Sequence, residues 1–183
     1  MERSEAIQLV KENVKNPNLV KHCIAVGAIM KGLAKKLGKD EKVWEITGIL
    51  HDIDYDKTAN QPEKHGLVAE EILKGKVSEE VIHAIKAHNF EHTGIIPKTD
   101  MEKALVAADA LSGLIVATAL IMPDKKLASV KVKSIKKKFK QKDFARSVNR
   151  NHILICRHLG IDEQEFFEIG LKALQEVAEE LGL

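Results

Sequence analysis

The feature that most constrains the fold is a long apolar segment that contains one acidic residue. Residues 104–122 consist almost entirely of Ala, Leu, Val and Ile, broken chiefly by Asp109, Ser112 and Thr118. About 20 apolar residues are enough to cross a bilayer as a helix. However, a central carboxylate opposes insertion by roughly 2.5–3.5 kcal/mol, and many residues of the segment are only alanine. We therefore interpret the segment as a buried core helix and expect no membrane partner.

The rest of the chain predicts an all-α fold. Its 183 residues contain 44% hydrophobic but only 4% aromatic side chains, so the core must be mostly aliphatic. Abundant Ala, Leu, Lys and Glu favour helices. The absence of a Gly/Ser/Pro-rich linker predicts a single domain over 1–183, with a motif-bearing core at about 20–120 and C-terminal helices at 125–183 packed on it. Apolar spacing and end signals predict about eight to nine helices, at roughly 4–15, 17–37, 40–53, 62–73, 78–90, 100–122, 125–140, 143–159 and 162–181.

A buried carboxylate such as Asp109 needs a partner, because an uncompensated charge in the core costs several kcal/mol. The apolar run at 43–50 ends in the adjacent pair His51 and Asp52, and His22 lies in the first turns of the second predicted helix. Two imidazoles and two carboxylates suit a divalent transition metal such as Mn, Fe, Co or Zn. The sequence therefore predicts His22, His51, Asp52 and Asp109 as metal ligands.

In this order, these four residues resemble the H…HD…D signature of the HD superfamily of metal-dependent phosphohydrolases. The context Gly48-Ile49-Leu50-His51-Asp52-Ile53 is similar to that of the HD motif, and the resemblance covers about 20–120. The whole chain is more similar to compact bacterial HDIG-type proteins. It implies an HD-type helical bundle. It also implies a phosphohydrolase that uses a metal-activated hydroxide on a phosphoester or phosphoanhydride of a small phosphorylated metabolite, for which we expect a nucleotide.

His65 and His88 extend the resemblance to the six-ligand branch, which holds two metals. That branch includes the HD-GYP cyclic-dinucleotide phosphodiesterases and the bacterial symmetrical diadenosine tetraphosphatases. The resemblance implies that Asp52 bridges both ions and acts as the catalytic carboxylate, although the GYP tripeptide and its spacing are absent. A lysine that several branches carry three residues after the HD aspartate is replaced by Tyr55. The remaining histidines are expected to lie outside the ligand set, with structural or exposed roles: His83, His92, His152 and His158.

Basic residues supply the candidates for substrate contact. Lys57 lies close to the HD pair, and Arg146 and Arg150 are four residues apart, as a bidentate phosphate clamp on a helix would require. Nine lysines and no acidic residue lie within 125–142. They form either a solvated face or a positive wall that attracts a phosphorylated substrate. The chain's net charge of only +2 leads us not to expect a nucleic-acid partner. Two cysteines without a CxxC pattern and no signal peptide indicate a cytoplasmic location.

Three other functions remain open at this stage. The same ligands could serve a di-iron oxygenase, as they do in a few HD relatives. The fold could be retained in a non-catalytic sensor that binds a nucleotide. The lysines at 125–142 could belong to an RNA-associated regulator. The sequence leaves open whether one or two ions bind and whether the chain forms a homodimer.

Overall fold

All regular secondary structure of the chain is helical. A computed structural model describes all 183 residues and contains no strand, which confirms the all-α prediction. The α-helices of seven or more residues are α1 (Arg3–Asn13), α2 (Pro17–Leu37), α3 (Glu41–Leu50), α5 (Leu67–Leu73), α6 (Glu79–His88), α8 (Asp100–Leu120), α9 (Val132–Lys140) and α11 (Glu163–Glu176). These eight helices match the expected number. Four single-turn helices lie between or after them: α4 (Tyr55–Thr58), α7 (Phe90–Thr93), α10 (Arg150–Ile153) and α12 (Ala178–Leu181).

Helix starts follow the capping signals of the sequence. The side chain of Asn16 accepts a hydrogen bond from the Asn18 backbone N–H, with Pro17 at the first helical position of α2. Asp40 accepts from the Val43 backbone N–H at the start of α3, and Ser78 caps α6 in the same way. These side chains satisfy backbone donors that a helix N-terminus leaves without partners. The three helices begin within one residue of the starts that the sequence predicts.

Helix α8 is the central helix of the bundle, as predicted. By length and composition it could cross a membrane, yet 61% of its apolar window is buried within the structure. It contacts α2, α6, α9 and α11, and most of its buried apolar side chains belong to one hydrophobic cluster of 45 residues. Asp109 contacts His22 of another helix, but its side chain is 36% exposed, so the expectation of a buried carboxylate was wrong in degree, because this face of α8 opens to a cavity.

Helices α2 and α3 cross at very short range. A Cβ atom at Gly48 would lie 2.7 Å from the Cα of Gly27, and one at Gly27 would lie 3.0 Å from the carbonyl oxygen of Glu45. Only glycine at both positions allows the two backbones to approach this closely. The crossing places His22 of α2 and His51 at the end of α3 with ring centroids 5.1 Å apart.

The C-terminal third departs most from the sequence prediction. The helix predicted at 125–140 begins only at Val132, and the continuous helix predicted at 143–159 is wrong. Turns occupy much of 142–149, the single turn α10 follows, and a 3-10 helix covers Leu154–Leu159. The physical reason is Arg150. Its guanidinium donates hydrogen bonds to backbone carbonyl oxygens of the segment that precedes it. These bonds stabilise an irregular backbone conformation in place of a helix.

Candidate metal centre

Six histidine and aspartate side chains from five parts of the chain converge beside the middle of α8. They are His22 of α2, His51 and Asp52 after α3, His65 before α5, His88 at the end of α6 and Asp109 of α8. The sequence predicted these six residues as ligands, and the structure brings all of them together. We refer to them below as the His/Asp cluster.

The first half of the cluster contains His22, His51 and Asp109. Nε2 of His22 lies 2.9 Å from Oδ1 of Asp109, and Nε2 of His51 lies 3.6 Å from the same oxygen. Each of the three residues offers one ligand atom, and these three atoms all lie within 4.8 Å of one another. Such spacing allows three side chains to bind one ion. We call this group the first half-site.

The second half of the cluster contains His65 and His88. Their Nε2 atoms are 3.2 Å apart, and each faces Oδ1 of Asp52, at 3.0 Å from His65 and 3.5 Å from His88. Helix α6 presents His88 from its last residue, whereas His65 lies in the turn before α5. We call this group the second half-site.

Asp52 lies between the two half-sites and faces each with a different oxygen atom. Its Oδ2 is 3.2 Å from Nε2 of His51 and 3.5 Å from Nε2 of His22, whereas its Oδ1 faces His65 and His88. A carboxylate with both oxygens directed to separate groups of imidazoles has the geometry of a bridging ligand. This is the arrangement that the resemblance implied for Asp52.

The protein holds three of the imidazoles by their Nδ1 atoms. Nδ1 of His51 lies 2.6 Å from the Gly48 carbonyl oxygen, Nδ1 of His88 contacts the Ile85 carbonyl oxygen, and Nδ1 of His65 lies 2.7 Å from Oδ1 of Asp54. Each acceptor requires the Nδ1 atom to carry the proton. In the neutral ring, Nε2 is then left with a lone pair directed into the cluster, which is the usual arrangement of metal-binding histidines.

An orphaned nitrogen tests whether the cluster fits a cation. Nε2 of His51 is fully buried and has no hydrogen-bond partner, although Asp52 and Asp109 lie nearby. A buried polar atom without a partner is costly. A divalent ion among these lone pairs and carboxylates would remove that cost, and nitrogen and oxygen donors suit a transition metal. The residues therefore fit a divalent metal.

The pKa shifts in the cluster also indicate a site that favours positive charge. Burial raises the pKa of Asp52, but the adjacent imidazoles of His51, His65 and His88 outweigh it and hold the pKa well below its ordinary value. Burial lowers the pKa of His51, but Asp52 and Asp109 more than offset this and raise it well above the ordinary value. The pKa of His65 rises to about 9, because Asp52 and Asp54 outweigh the effect of its burial. In each case the carboxylates stabilise positive charge beside them.

Asp54 is a candidate functional residue that the sequence interpretation missed. Its fully buried carboxylate accepts hydrogen bonds from the backbone N–H groups of Gly66 and Ala69, at 2.7 and 2.9 Å, and it orients the ring of His65. Carboxylates that hold metal-binding histidines raise the basicity of the ligand nitrogen. The available signal was its position, since Asp54 lies two residues after Asp52 and directly beyond the apolar Ile53.

A cavity of about 500 Å³ opens over the cluster. Four residues of the His/Asp cluster line its floor: Asp52, His65, His88 and Asp109. Its outer wall includes Tyr55, Asn89, Glu91, His92, Ser147, Asn149 and His152. No lysine or arginine lines this cavity. The predicted substrate-binding residues Lys57, Arg146 and Arg150 are therefore not part of its wall.

Two of these three basic residues have other partners. The guanidinium of Arg150 donates to six backbone carbonyl oxygens: those of Lys138, Phe139, Gln141, Phe144, Ala145 and Val148. Its donors are fully used, so the predicted phosphate clamp with Arg146 is wrong for Arg150, which stabilises the segment before α10. The ammonium of Lys57 donates to Oδ1 of Asn13 at 3.2 Å. Arg146 is exposed.

Two residues of the outer wall form a pair that the sequence interpretation also missed. Nε2 of His152 lies 2.7 Å from Oε1 of Glu91, which joins α10 to α7 beside the cavity. His152 was expected to be structural or exposed. No sequence signal links these residues, because 61 positions separate them.

The all-α bundle gathers four histidines and Asp109 around the shared carboxylate of Asp52, which is the arrangement expected of a metal-binding hydrolase. Comparison with known proteins agrees with this class. A family model for the HD domain matches residues 19–114, more than half of the chain. The chain belongs to the HD domain family, and the predicted superfamily of metal-dependent phosphohydrolases is confirmed.

Curated relatives that match include several ribonucleases. Over 98 residues the chain is 34% identical to Ribonuclease Y of Oleidesulfovibrio alaskensis. The aligned region covers 52% of this chain and 18% of that protein. Over 93 residues it is 33% identical to Ribonuclease Y 2 of Bdellovibrio bacteriovorus, with 50% and 17% covered. Ribonuclease Y of Thermoanaerobacter pseudethanolicus is 35% identical over 96 residues, with 52% and 18% covered. The matched region is thus less than a fifth of each of these relatives. No solved structure gave a significant match.

Proposed function

We propose that this chain is a metal-dependent phosphohydrolase whose reaction takes place in the cavity over the His/Asp cluster. The observation that carries the proposal is the division of the Asp52 carboxylate between two groups of imidazoles. His22, His51, Asp109 and Oδ2 of Asp52 would hold one divalent ion. His65, His88 and Oδ1 of Asp52 would hold a second. Mn, Fe, Co and Zn all suit these donors.

Bound ions would supply Lewis acidity toward a phosphoryl oxygen and lower the pKa of water. The chain's own residues have distinct tasks around them. Asp52 orients the attacking water between the two half-sites, and Asp54 keeps the His65 lone pair directed into the cluster. Burial of His51 beneath the cavity excludes water from that side of the cluster. These tasks are positioning and charge compensation, which account for most of the catalysis of phosphoryl transfer.

For the substrate, we propose a phosphoester or phosphoanhydride of a nucleotide. A cavity of about 500 Å³ lies in the range of pockets that hold small organic molecules, roughly 300–1,000 Å³. Its outer wall offers neutral polar groups, including Asn89, Ser147 and Asn149, that suit the hydroxyl and base edges of a nucleoside. Without a lysine or arginine in the wall, the phosphate charge would rest mainly on the bound ions.

RNA is a second candidate substrate, although a nucleic-acid partner was not expected from the net charge. The named relatives are ribonucleases. In addition, the nine lysines within 125–142, here called the lysine surface, are not in any salt bridge of the structure. The rest of the chain carries 20 basic and 27 acidic side chains, a formal net charge of −7. The small total charge therefore hides a strongly positive surface, which is typical of proteins that attract polyanions.

The test is a substrate panel with metal-reconstituted protein. Mononucleotides, dinucleoside polyphosphates and short oligoribonucleotides would be incubated with Mn²⁺-loaded protein, and the products separated by chromatography. We expect turnover of at least one member and none by the Asp52→Ala variant. Turnover limited to oligoribonucleotides, and weakened by charge reversal at Lys136 and Lys137, would select the RNA proposal.

The same protein distinguishes the two remaining alternatives. A di-iron oxygenase would contain iron and consume oxygen, whereas the proposed hydrolase should work without oxygen when it is loaded with Mn²⁺. A non-catalytic sensor would bind a nucleotide without releasing any product. Elemental analysis, oxygen uptake and nucleotide binding by calorimetry therefore separate the three functions.

A further inference from the structure

The His152–Glu91 pair lies in the wall of the cavity. Glu91 is within residues 19–114, which match the family model, whereas His152 lies beyond them. Oε1 of Glu91 is 2.7 Å from Nε2 of His152, and both side chains line the cavity that Asp52 and Asp109 also line. The contact with Glu91 therefore occupies the Nε2 atom of His152. Nδ1 of His152 makes no hydrogen bond within the chain.

The wall offers few other groups that can donate a proton as a cationic acid. No lysine or arginine lines the cavity, and apart from the His/Asp cluster its only other basic side chain is that of His92. His92 is exposed, and its Nδ1 atom is 3.0 Å from Oδ1 of Asn89. His152 is the better held of the two, since only 23% of its side chain is exposed and its partner is a carboxylate.

The backbone around His152 is also fixed. Asn149 caps the turn of α10 by accepting a hydrogen bond from the His152 backbone N–H. The neighbouring Arg150 donates to backbone carbonyl oxygens from Lys138 to Val148. The ring of Phe90 packs beside the imidazole with centroids 5.5 Å apart. A side chain held in this way is preorganised for a reaction at the cavity.

We propose that His152 is the general acid that protonates the leaving group, with Glu91 as its positioning residue; this rests on the proposed hydrolase function. Water forms a bond to phosphorus while the bond from phosphorus to the leaving oxygen breaks, and that electron pair moves to the leaving oxygen. The leaving oxygen takes the proton from Nδ1 of cationic His152, and the attacking water loses a proton to solvent. Solvent then returns a proton to His152 after the product leaves.

Leaving-group dependence distinguishes this role from a merely structural one. General acid catalysis contributes about 10²–10⁴-fold, and it matters most for leaving groups that are poor without protonation. A salt bridge that only joins α7 to α10 would affect all substrates by the same factor. The probes are the p-nitrophenyl and phenyl esters of thymidine 5′-monophosphate, because p-nitrophenol leaves readily without a proton and phenol does not.

The experiment uses the full chain loaded with Mn²⁺ and compares wild-type protein with His152→Gln. We expect the phenyl ester to slow by about 100-fold or more and the p-nitrophenyl ester by less than about tenfold. Glu91→Gln should show a smaller loss with the same preference between esters. The matched control is His158→Gln, which alters an exposed histidine outside the cavity and should leave both rates unchanged.

Three outcomes would overturn the assignment or its basis. Equal losses for both esters, or no loss, would exclude His152 as the proton donor. If His152→Gln fails to fold, Glu91→Gln decides instead, because equal effects on the two esters would also contradict the assignment. Wild-type protein that cleaves neither ester would contradict the proposed hydrolase function, and the role of His152 with it.

Discussion

The two half-sites around Asp52 are built in different ways. The first half-site takes its ligands from α2, the end of α3 and α8, which are long or densely packed helices. The second depends on His65, which lies in a short turn and is held by the buried carboxylate of Asp54. Its other ligand, His88, is the last residue of α6. The first half-site is therefore fixed by helix packing, and the second by a local network of hydrogen bonds.

This difference has a consequence for metal binding. The Gly27–Gly48 crossing positions His22 and His51 before any ion binds, because backbone contact sets the distance between the helices. His65 has fewer constraints of this kind, since its turn is held by hydrogen bonds with Asp54 and Asn89 and by the conformation of Gly66 and not by helix packing. We expect the first half-site to bind its ion more tightly than the second. Each of the following predictions tests this comparison.

The largest effect should come from Asp52→Ala, because it removes the carboxylate that both half-sites share. Loss of a charge interaction worth several kcal/mol corresponds to about a 1,000-fold or greater loss of activity. We also expect the second ion to be lost, as measured by elemental analysis after dialysis. Asp143→Ala, at an exposed position outside the cavity, is the control and should keep both activity and metal content. Retention of two ions by Asp52→Ala would contradict a bridging role.

Gly66→Ala should damage the second half-site and leave the first in place. The residue has a φ of +94°, and an added Cβ would lie 3.1 Å from the Ile85 carbonyl oxygen. Strain and contact together should reduce the free energy of unfolding by about 1–3 kcal/mol. Denaturant unfolding and metal content measure the two effects.

Gly75→Ala is the matched control for Gly66→Ala. Gly75 has a φ of +80° but no atom within 4 Å of an added Cβ, so it reproduces the backbone strain without the contact. We expect a smaller loss of stability and no loss of metal. If both variants lose the second ion equally, the placement of His65 does not depend on this turn.

Asp54→Asn should weaken the second ion specifically. The amide retains an acceptor for the Gly66 backbone N–H but no longer provides a negative charge beside His65. Loss of such a partner typically lowers metal affinity by 10- to 100-fold. Chelator competition would measure the affinity for each ion, and the exposed neighbour Asp56→Asn serves as control. An equal loss at both half-sites would show that they do not differ in the way described.

The smallest effect concerns the metal-free protein and pH. The folded pKa of His65 is about 9, above the unfolded value of about 6.5, so folding favours the protonated ring. Its contribution to stability is complete below about pH 6.5 and is lost as pH rises toward 9. We expect the Tm of metal-free protein to fall over this interval, with a shallower slope for His65→Gln. With metal bound, high pH should instead favour binding, because the ligands must be deprotonated.

Local patterns were enough to predict most helices of the first two thirds of the chain. Asn16, Asp40 and Ser78 cap the helices expected from the sequence, since a cap depends on neighbours within three residues. The prediction failed in 143–159, where Arg150 stabilises turns through carbonyl oxygens up to 12 positions away. Such a choice between a helix and a hydrogen-bonded loop is not visible in apolar spacing.

By itself, the sequence determined the helical class and the identity of the six clustered side chains, because apolar periodicity, caps and an ordered ligand motif are all written in residue type and position. Only the tertiary structure decided how those side chains divide around Asp52, that Asp54 supports His65, that Arg150 serves the backbone, and that His152 meets Glu91 at the cavity. The physical reason is that each of these features is a contact between side chains and partners from separate elements. Its energy depends on distance and burial, which exist only after the helices have packed.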